Sequence, residues 1–198
     1  MDMHFSLKGQ TIDLVPLDIS HSDDLKEAVK DGELFNHWYT FIPKPGDMDS
    51  EINRRLKLFE EKSMIPFAVI DKKTQKAIGM TTFMNLNLAN KKTEIGSTWY
   101  RQNVQKTAVN IEAKILLLTH AFEVFECIAV EFRTHFINFQ SRKAIEALGA
   151  KLDGILRNDR IMPDGSLRDT CVYSILNHEW PTVKNHLNYR LKKRLSHS

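Results

Sequence analysis

The stretch from Val109 to Phe125 leaves a chain of this kind little choice of architecture. Ile111, Ile115, Leu118, Phe122 and Phe125 recur at steps of four, three, four and three, which is the period of an α-helix. Leu116, Leu117 and Ala121 widen that stripe, and a helix apolar over so much of its circumference is one that the rest of the fold covers. Strand-like runs stand on both sides of it, Glu94–Tyr100 before and Cys127–Thr134 after.

The other elements follow from the same periodicities. Thr11–Leu17 reads as a first strand, and the capping residues of Ser20–Asp24 precede a helix carrying Leu25, Ala28 and Val29. Phe35–Pro45 packs four aromatics ahead of two prolines and reads as an ordered loop or short helix. Ser50 opens a second helix through Ile52, Leu56 and Phe59 to near Lys62. Pro66–Asp71 and Ala77–Asn87, joined by a polar KKTQK turn, read as an antiparallel hairpin. Asn138–Leu148 is a helix stopped by Gly149; Leu152–Arg157 and Asp169–Leu176 are strands around the turn Pro163-Asp164-Gly165. Trp180, Val183, Leu187 and Leu191 mark a terminal amphipathic helix. The order β-α-α-β-β-β-α-β-α-β-β predicts an α/β fold, a mixed sheet with helices on both faces.

Length, composition and charge narrow the classes of function. The chain has 198 residues with 42% hydrophobic and 27% charged side chains, enough for one sizeable core. It contains no repeat and no long linker, so a single domain over 1–183 is expected, with 184–198 as a basic helical tail. From Lys184 onward stand five basic residues and no acid, so the net charge of +3 belongs to the tail and the body carries 23 basic against 25 acidic residues. No run approaches the roughly 18 apolar residues of a membrane span, and the N-terminus lacks a secretory pattern; a cytoplasmic protein with no membrane and no DNA partner is expected. Cys127 and Cys171 lie in apolar runs, read as packed free thiols, and nothing has metal-ligand spacing. The eight glycines form no G-x-G, which excludes the dinucleotide fingerprint and the Walker loop as written.

The segment RQNVQKTAVNIEAK, between the strand ending at Tyr100 and the buried helix, is where chemistry is expected. A strand, a short polar loop and a helix start gather unpaired backbone N–H groups and the positive end of a helix dipole, a setting suited to a pyrophosphate. Arg101 and Lys106 add charge. The plain alternative is a polar loop leading into a helix.

Gln105-x-x-Ala108-x-Asn110 at the head of the buried helix, Asn138-x-x-Ser141 followed by Leu148-Gly149, and the runs NIEAKILLLTHAFE and VEFRTHFINFQSRKAIEALGAKLDG ahead of EWP resemble the GNAT acetyltransferase superfamily. Within it, they are similar to the RimJ/RimL-like branch. The resemblance runs from about Ile12 to about Trp180. It implies a mostly antiparallel sheet with two splayed central parallel strands, Glu94–Tyr100 and Cys127–Thr134, and acetyl-CoA as cosubstrate with its pantetheine between them. Its pyrophosphate would rest on Gln105, Lys106, Thr107, Ala108, Val109 and Asn110. The family pattern here is Q/R-x-x-G-x-G/A, and Ala108 and Asn110 depart from it. Asn138 would bond the cofactor, or simply cap its helix; Arg142 and Lys143 would meet the adenosine phosphates, or be solvated.

An amine must lose a proton to attack a thioester, and the departing thiolate must gain one. On the resemblance, Glu94 is the expected base, directly or through water, with Glu131 as substitute; the alternative for Glu94 is a strand-edge ion pair with Lys91 or Lys92. The family's acid tyrosine falls on Ile145, which leaves Ser141, Tyr100 or solvent for the thiolate. Glu112 reads as a helix-dipole partner and His120 as a core histidine. The acceptor wall would be His37, Trp38, Tyr39 and Phe41, with Asp31 and Glu33 available to attract a cation; packing of the loop is the alternative. The acceptor is a primary amine, a protein N-terminus or a small molecule, and a homodimer is compatible with the pattern. The competing class is a weakly active acyl-CoA-binding module whose basic tail contacts RNA or ribosomes.

Overall fold

The computed structural model describes residues 3–196. A two-residue strand β1 (Leu7–Lys8), invisible to any periodicity, pairs with β2 (Ile12–Pro16). Asp18 then accepts a hydrogen bond from Ser20 N at 2.9 Å and starts a 3-10 turn that leads into α1 (Ser22–Lys30). The aromatic segment is a loop with two 3-10 turns, Leu34–Asn36 and Pro45–Asp47. After it come α2 (Met48–Glu60), the hairpin β3 (Met64–Asp71) and β4 (Lys76–Asn87), β5 (Lys92–Tyr100), α3 (Ala108–Glu123), β6 (Ala129–His135) and α4 (Phe139–Glu146). The chain ends with β7 (Lys151–Ile161), β8 (Leu167–Leu176) and α5 (Trp180–Leu195). β7 runs past Arg157 because Asn158 takes a left-handed φ of 52° and lets the pairing with β8 resume at Arg160 and Arg168.

The sheet has the order β1-β2-β3-β4-β5-β6-β8-β7. Every neighbouring pair is antiparallel except β5 and β6, which are parallel and are connected through α3, as parallel neighbours need a crossover rather than a tight turn.

Each face has its own core. On one, Phe67, Val69, Ile78, Phe83 and Ile95 pack on Ala113, Leu117, Leu118 and Ala121 of α3. Leu117 and Leu118 are fully buried, each contributing about 2 kcal/mol, which is the physical meaning of the widened stripe. Leu187 and Leu191 of α5 join this core, and Trp180 Nε1 donates to Glu123 at 2.8 Å, so the basic residues from Lys184 lie on a packed helix. On the other face Met80 and Trp99 pack with Leu25, Ala28, Val29, Met48 and Ile52. No helix among the described residues is long and apolar enough to cross a membrane.

These two cores disclose a kink in β5. Ile95 and Tyr100 belong to the α3 side and Trp99 to the α1–α2 side, and strict alternation cannot put residues five apart on one face. Ser97, at φ 46°, is the extra residue: Met80 pairs with Trp99 and Thr82 with Gly96, two residues of β4 against three of β5. This is a β-bulge.

Candidate active site

β5 and β6 part company almost at once. Their ladder runs only from Lys92 opposite Ala129 to Glu94 opposite Glu131, while β5 continues to Tyr100 and β6 to His135. β6 keeps its other edge on β8 as far as His135 opposite Thr170. Between residues 95–100 and 132–135 the two facing edges therefore share no ladder, in the middle of a sheet where backbone groups are otherwise paired. The bulge holds the cleft in shape. Arg55 of α2, buried and paired to Glu51 at 2.7 Å, donates to Thr82 Oγ1 at 2.9 Å and from both terminal nitrogens to the Ser97 carbonyl at 3.2 Å.

Two helix starts stand at the mouth of this cleft. Beyond β5 a 3-10 turn, Gln102–Val104, leads through Gln105, Lys106 and Thr107 into α3. Thr107 is the N-cap, accepting from Val109 N at 3.3 Å. Asn138 caps α4, accepting from Ser141 N at 3.0 Å. Gln105 ties the two together, donating to the Tyr100 carbonyl at 3.1 Å and accepting from Gln140 of α4 at 3.5 Å. The expected cradle residues Gln105 to Asn110 thus sit together beside Asn138 and Ser141. Ala108 and Val109 are buried, and Lys106 and Thr107 are exposed. Neither Ala108 nor Asn110 has a positive φ; the left-handed residue is Lys106, at 61°. Arg142 turns inward instead, donating to Tyr173 Oη at 3.1 Å and the Phe136 carbonyl at 3.2 Å, with its guanidinium 4.9 Å from the Phe136 ring. Ile145 is in the core.

Glu94 lies at the apex of the cleft, 6% exposed, on the face away from α3. Its carboxylate accepts from Asn85 Nδ2 at 2.7 Å and sits 3.6 Å from Arg133 Nε, which also holds Glu131. Burial raises its pKa, with Asn85 and Arg133 working in the opposite direction. A Cβ at Gly96 would come within 3.0 Å of Glu94 Oε1 and of Met84 Sδ, so that glycine keeps the carboxylate clear. The strand-edge pairing weighed for Glu94 is not formed, since Lys91 reaches Glu126 at 3.0 Å. Glu112 accepts from the amides of Gln10 and Thr11, and His120 stacks on Phe5 at 4.0 Å. Tyr100 is a core residue whose hydroxyl has no partner among the described residues, and burial pushes its pKa upward.

The loop between α1 and α2 crosses to the end of β6. His37 stacks on Tyr39 at 5.5 Å, Trp38 meets His135 edge to face at 5.3 Å, and Tyr39 lies 6.3 Å from the same ring. Phe41 is exposed. Asp31 is taken up by Arg101 at 3.2 Å and Asn103 N at 3.0 Å, which pins this loop to the end of β5, and Glu33 holds Asn36 at 3.0 Å. Arg133, Asn85 and His135 escaped the sequence reading, although the alternation in VEFRTH puts Glu131, Arg133 and His135 on one face.

A family model for the acetyltransferase (GNAT) domain matches residues 12–151. No curated protein matches the chain. Among solved structures, a GCN5-related N-acetyltransferase from Brucella melitensis is 27% identical, with a TM-score of 0.85 over 95% of this chain and 86% of that one. An acetyltransferase-assigned protein of T. thermophilus is 32% identical, with a TM-score of 0.82 over 94% and 96%. RimJ of Mycobacterium smegmatis, solved with CoA-disulfide, is 16% identical and shares the fold at a TM-score of 0.79 over 94% and 95%.

Proposed function

Because the chain belongs to the GNAT family of acetyltransferases, we propose that it moves the acetyl group of acetyl-CoA directly onto a primary amine, both substrates being bound at once, in the manner of the RimJ/RimL-like branch. The observation that carries this reading is the parting of β5 from β6 after Glu94 and Glu131. Acetyl-CoA supplies an acyl thioester on an extended arm of amides, and unpaired strand edges hydrogen-bond such an arm as they would an added strand. The residues present fit it. The edges of 95–100 and 132–135 face one another, the first amides of α3 lack helical partners, and Ala108 is small enough to let a diphosphate approach them. Gln105 through Asn110 hold the diphosphate by backbone and by Lys106, with Asn138 and Arg142 bounding the site on the α4 side.

Glu94 takes the amine proton, directly or through a water. Its burial supports the role, because a raised pKa makes a carboxylate a better base, while Arg133 works in the opposite direction and favours the charged form. Ser141 or solvent returns a proton to the thiolate. His37, Trp38 and Tyr39 line the acceptor side. That side takes a protein N-terminus or a small amine.

Two measurements test the reading. Millimolar acetyl-CoA raises the melting temperature of the purified protein, and free thiol is released when the protein is given acetyl-CoA with a panel of peptides, amino acids and polyamines. No shift and no thiol would overturn it.

A further inference from the structure

Helices α1 and α2 cover the β2–β5 half of their face of the sheet through Met80 and Trp99, but the same face of β6, β8 and β7 carries polar side chains. Glu131, Arg133 and His135 alternate along β6. Thr170 lies directly opposite His135 on β8, and Arg168, two residues away on the same strand, donates from Nε to Thr170 Oγ1 at 3.0 Å. Thr170 therefore joins the histidine and the arginine into one corner, at the end of the cleft that Trp38 and Tyr39 wall off.

Both members of that corner carry donors that no acceptor takes up among the described residues. Arg168 is 8% exposed, and among the described residues no carboxylate comes within 4 Å of it. The nearby acids are engaged: Asp159 accepts from Thr170 Oγ1 at 2.7 Å and faces Arg160 at 3.6 Å, Asp169 holds Arg157 and Asn158 N, and Glu94, whose charge also acts on Arg168, holds Asn85 and Arg133. His135 is 4% exposed, and its Nδ1 accepts from Ile137 N at 3.1 Å. That bond assigns the ring proton of the neutral tautomer to Nε2, and Nε2 has no partner among the described residues. A buried donor such as His135 Nε2 calls for an acceptor, and the terminal nitrogens of Arg168, which have no acceptor among the described residues and are not fully buried, are open to one.

Resting on the acetyltransferase reading, we propose that Arg168 and His135 form an anion-binding corner of the acceptor pocket, so that the acceptor is a primary amine that also carries a carboxylate or a phosphate. The amine end goes to Glu94 and Glu131 at the apex of the cleft, and the acid end to Arg168, whose planar fork suits either oxyanion. Arg168 lies close enough to Glu94 for their charges to interact, so the spacer between the amine and the acid is a short one.

Matched pairs test this: a short peptide with a free C-terminal carboxylate against its C-terminal amide, and an aminoalkyl phosphate against the aminoalkyl alcohol. The acid-bearing member of one pair is expected to show at least a tenfold lower KM in thiol release, and which pair responds tells carboxylate from phosphate. Arg168→Gln should bring that ratio towards one, and Arg168→Lys, which keeps the charge, should retain part of it; the second variant also serves if the first does not fold. Equal KM values within both pairs, or a ratio that survives Arg168→Gln, would overturn the corner. Melting shifts given by the same ligands without acetyl-CoA read the corner without turnover. A shift specific to the acid-bearing member and abolished in Arg168→Gln upholds it even if no amine is acetylated, in which case the transferase reading alone is lost.

Discussion

Arg55 and Ser97 are joined across the sheet by a forked contact, two guanidinium nitrogens on one carbonyl oxygen at 3.2 Å each. Ser97 is the bulged residue of β5, so a side chain from α2 fixes the backbone conformation along one wall of the cleft. Arg55→Met leaves that carbonyl and Thr82 short of a donor and should cost roughly 3 kcal/mol of stability. Where the variant folds, its affinity for acetyl-CoA falls further than that of Arg55→Lys. Denaturant titration and calorimetry measure the two effects.

Glu94→Gln keeps the size and the contact to Asn85 but cannot accept a proton. Turnover should fall by about a hundredfold or more while the acetyl-CoA melting shift persists. Because burial raises the Glu94 pKa and Arg133 lowers it, Arg133→Gln raises it further; the acidic limb of the kcat/KM profile then moves to higher pH. A limb that stays put would remove Glu94 from the role of base.

Lys106 occupies left-handed backbone, where a side chain costs about 1 kcal/mol relative to glycine. Lys106→Gly should stabilise the free protein by up to that amount. If the backbone carries the diphosphate, acetyl-CoA binding drops only modestly in the same variant; a hundredfold loss would assign the contact to the ammonium group instead.

Lys114 of α3 is buried beneath β5, with Nζ donating to Thr98 Oγ1 at 3.0 Å, and burial lowers its pKa to about 7. The unfolded chain, with its lysine near 10.4, holds the extra proton between these values, so stability rises with pH across that window, by on the order of 1 kcal/mol per unit. Lys114→Met removes the dependence. The melting temperature of the wild type should gain on that of the variant from pH 7 to pH 10.

How much of this is legible in the residues varies with the range of the interaction concerned. The stripe of α3 and the hairpin of β3 and β4 are written in local periodicity, and both form within a residue or two of where the pattern puts them. β1 has two residues and no period to read. The bulge at Ser97 depends on Arg55, 42 positions away, so Ser97 carries no mark of its own. The family pattern has small residues where Ala108 and Asn110 stand, but the left-handed residue of the loop is Lys106, because the helix begins at Ala108 and imposes ordinary angles from there. Arg133 and His135 are open to a period-two reading; their importance comes from Glu94 and Trp38, which other segments bring to them.

The short ladder between β5 and β6 has a mechanical consequence. From Lys92 to Glu94 it is the only strand pairing that joins the half-sheet β1–β5 to the half-sheet β6–β8 among the described residues, with α3 bracing them from one side. An extended guest bonded to both free edges would be a rivet as well as a reagent, and its departure would leave two plates meeting at a hinge three residues long.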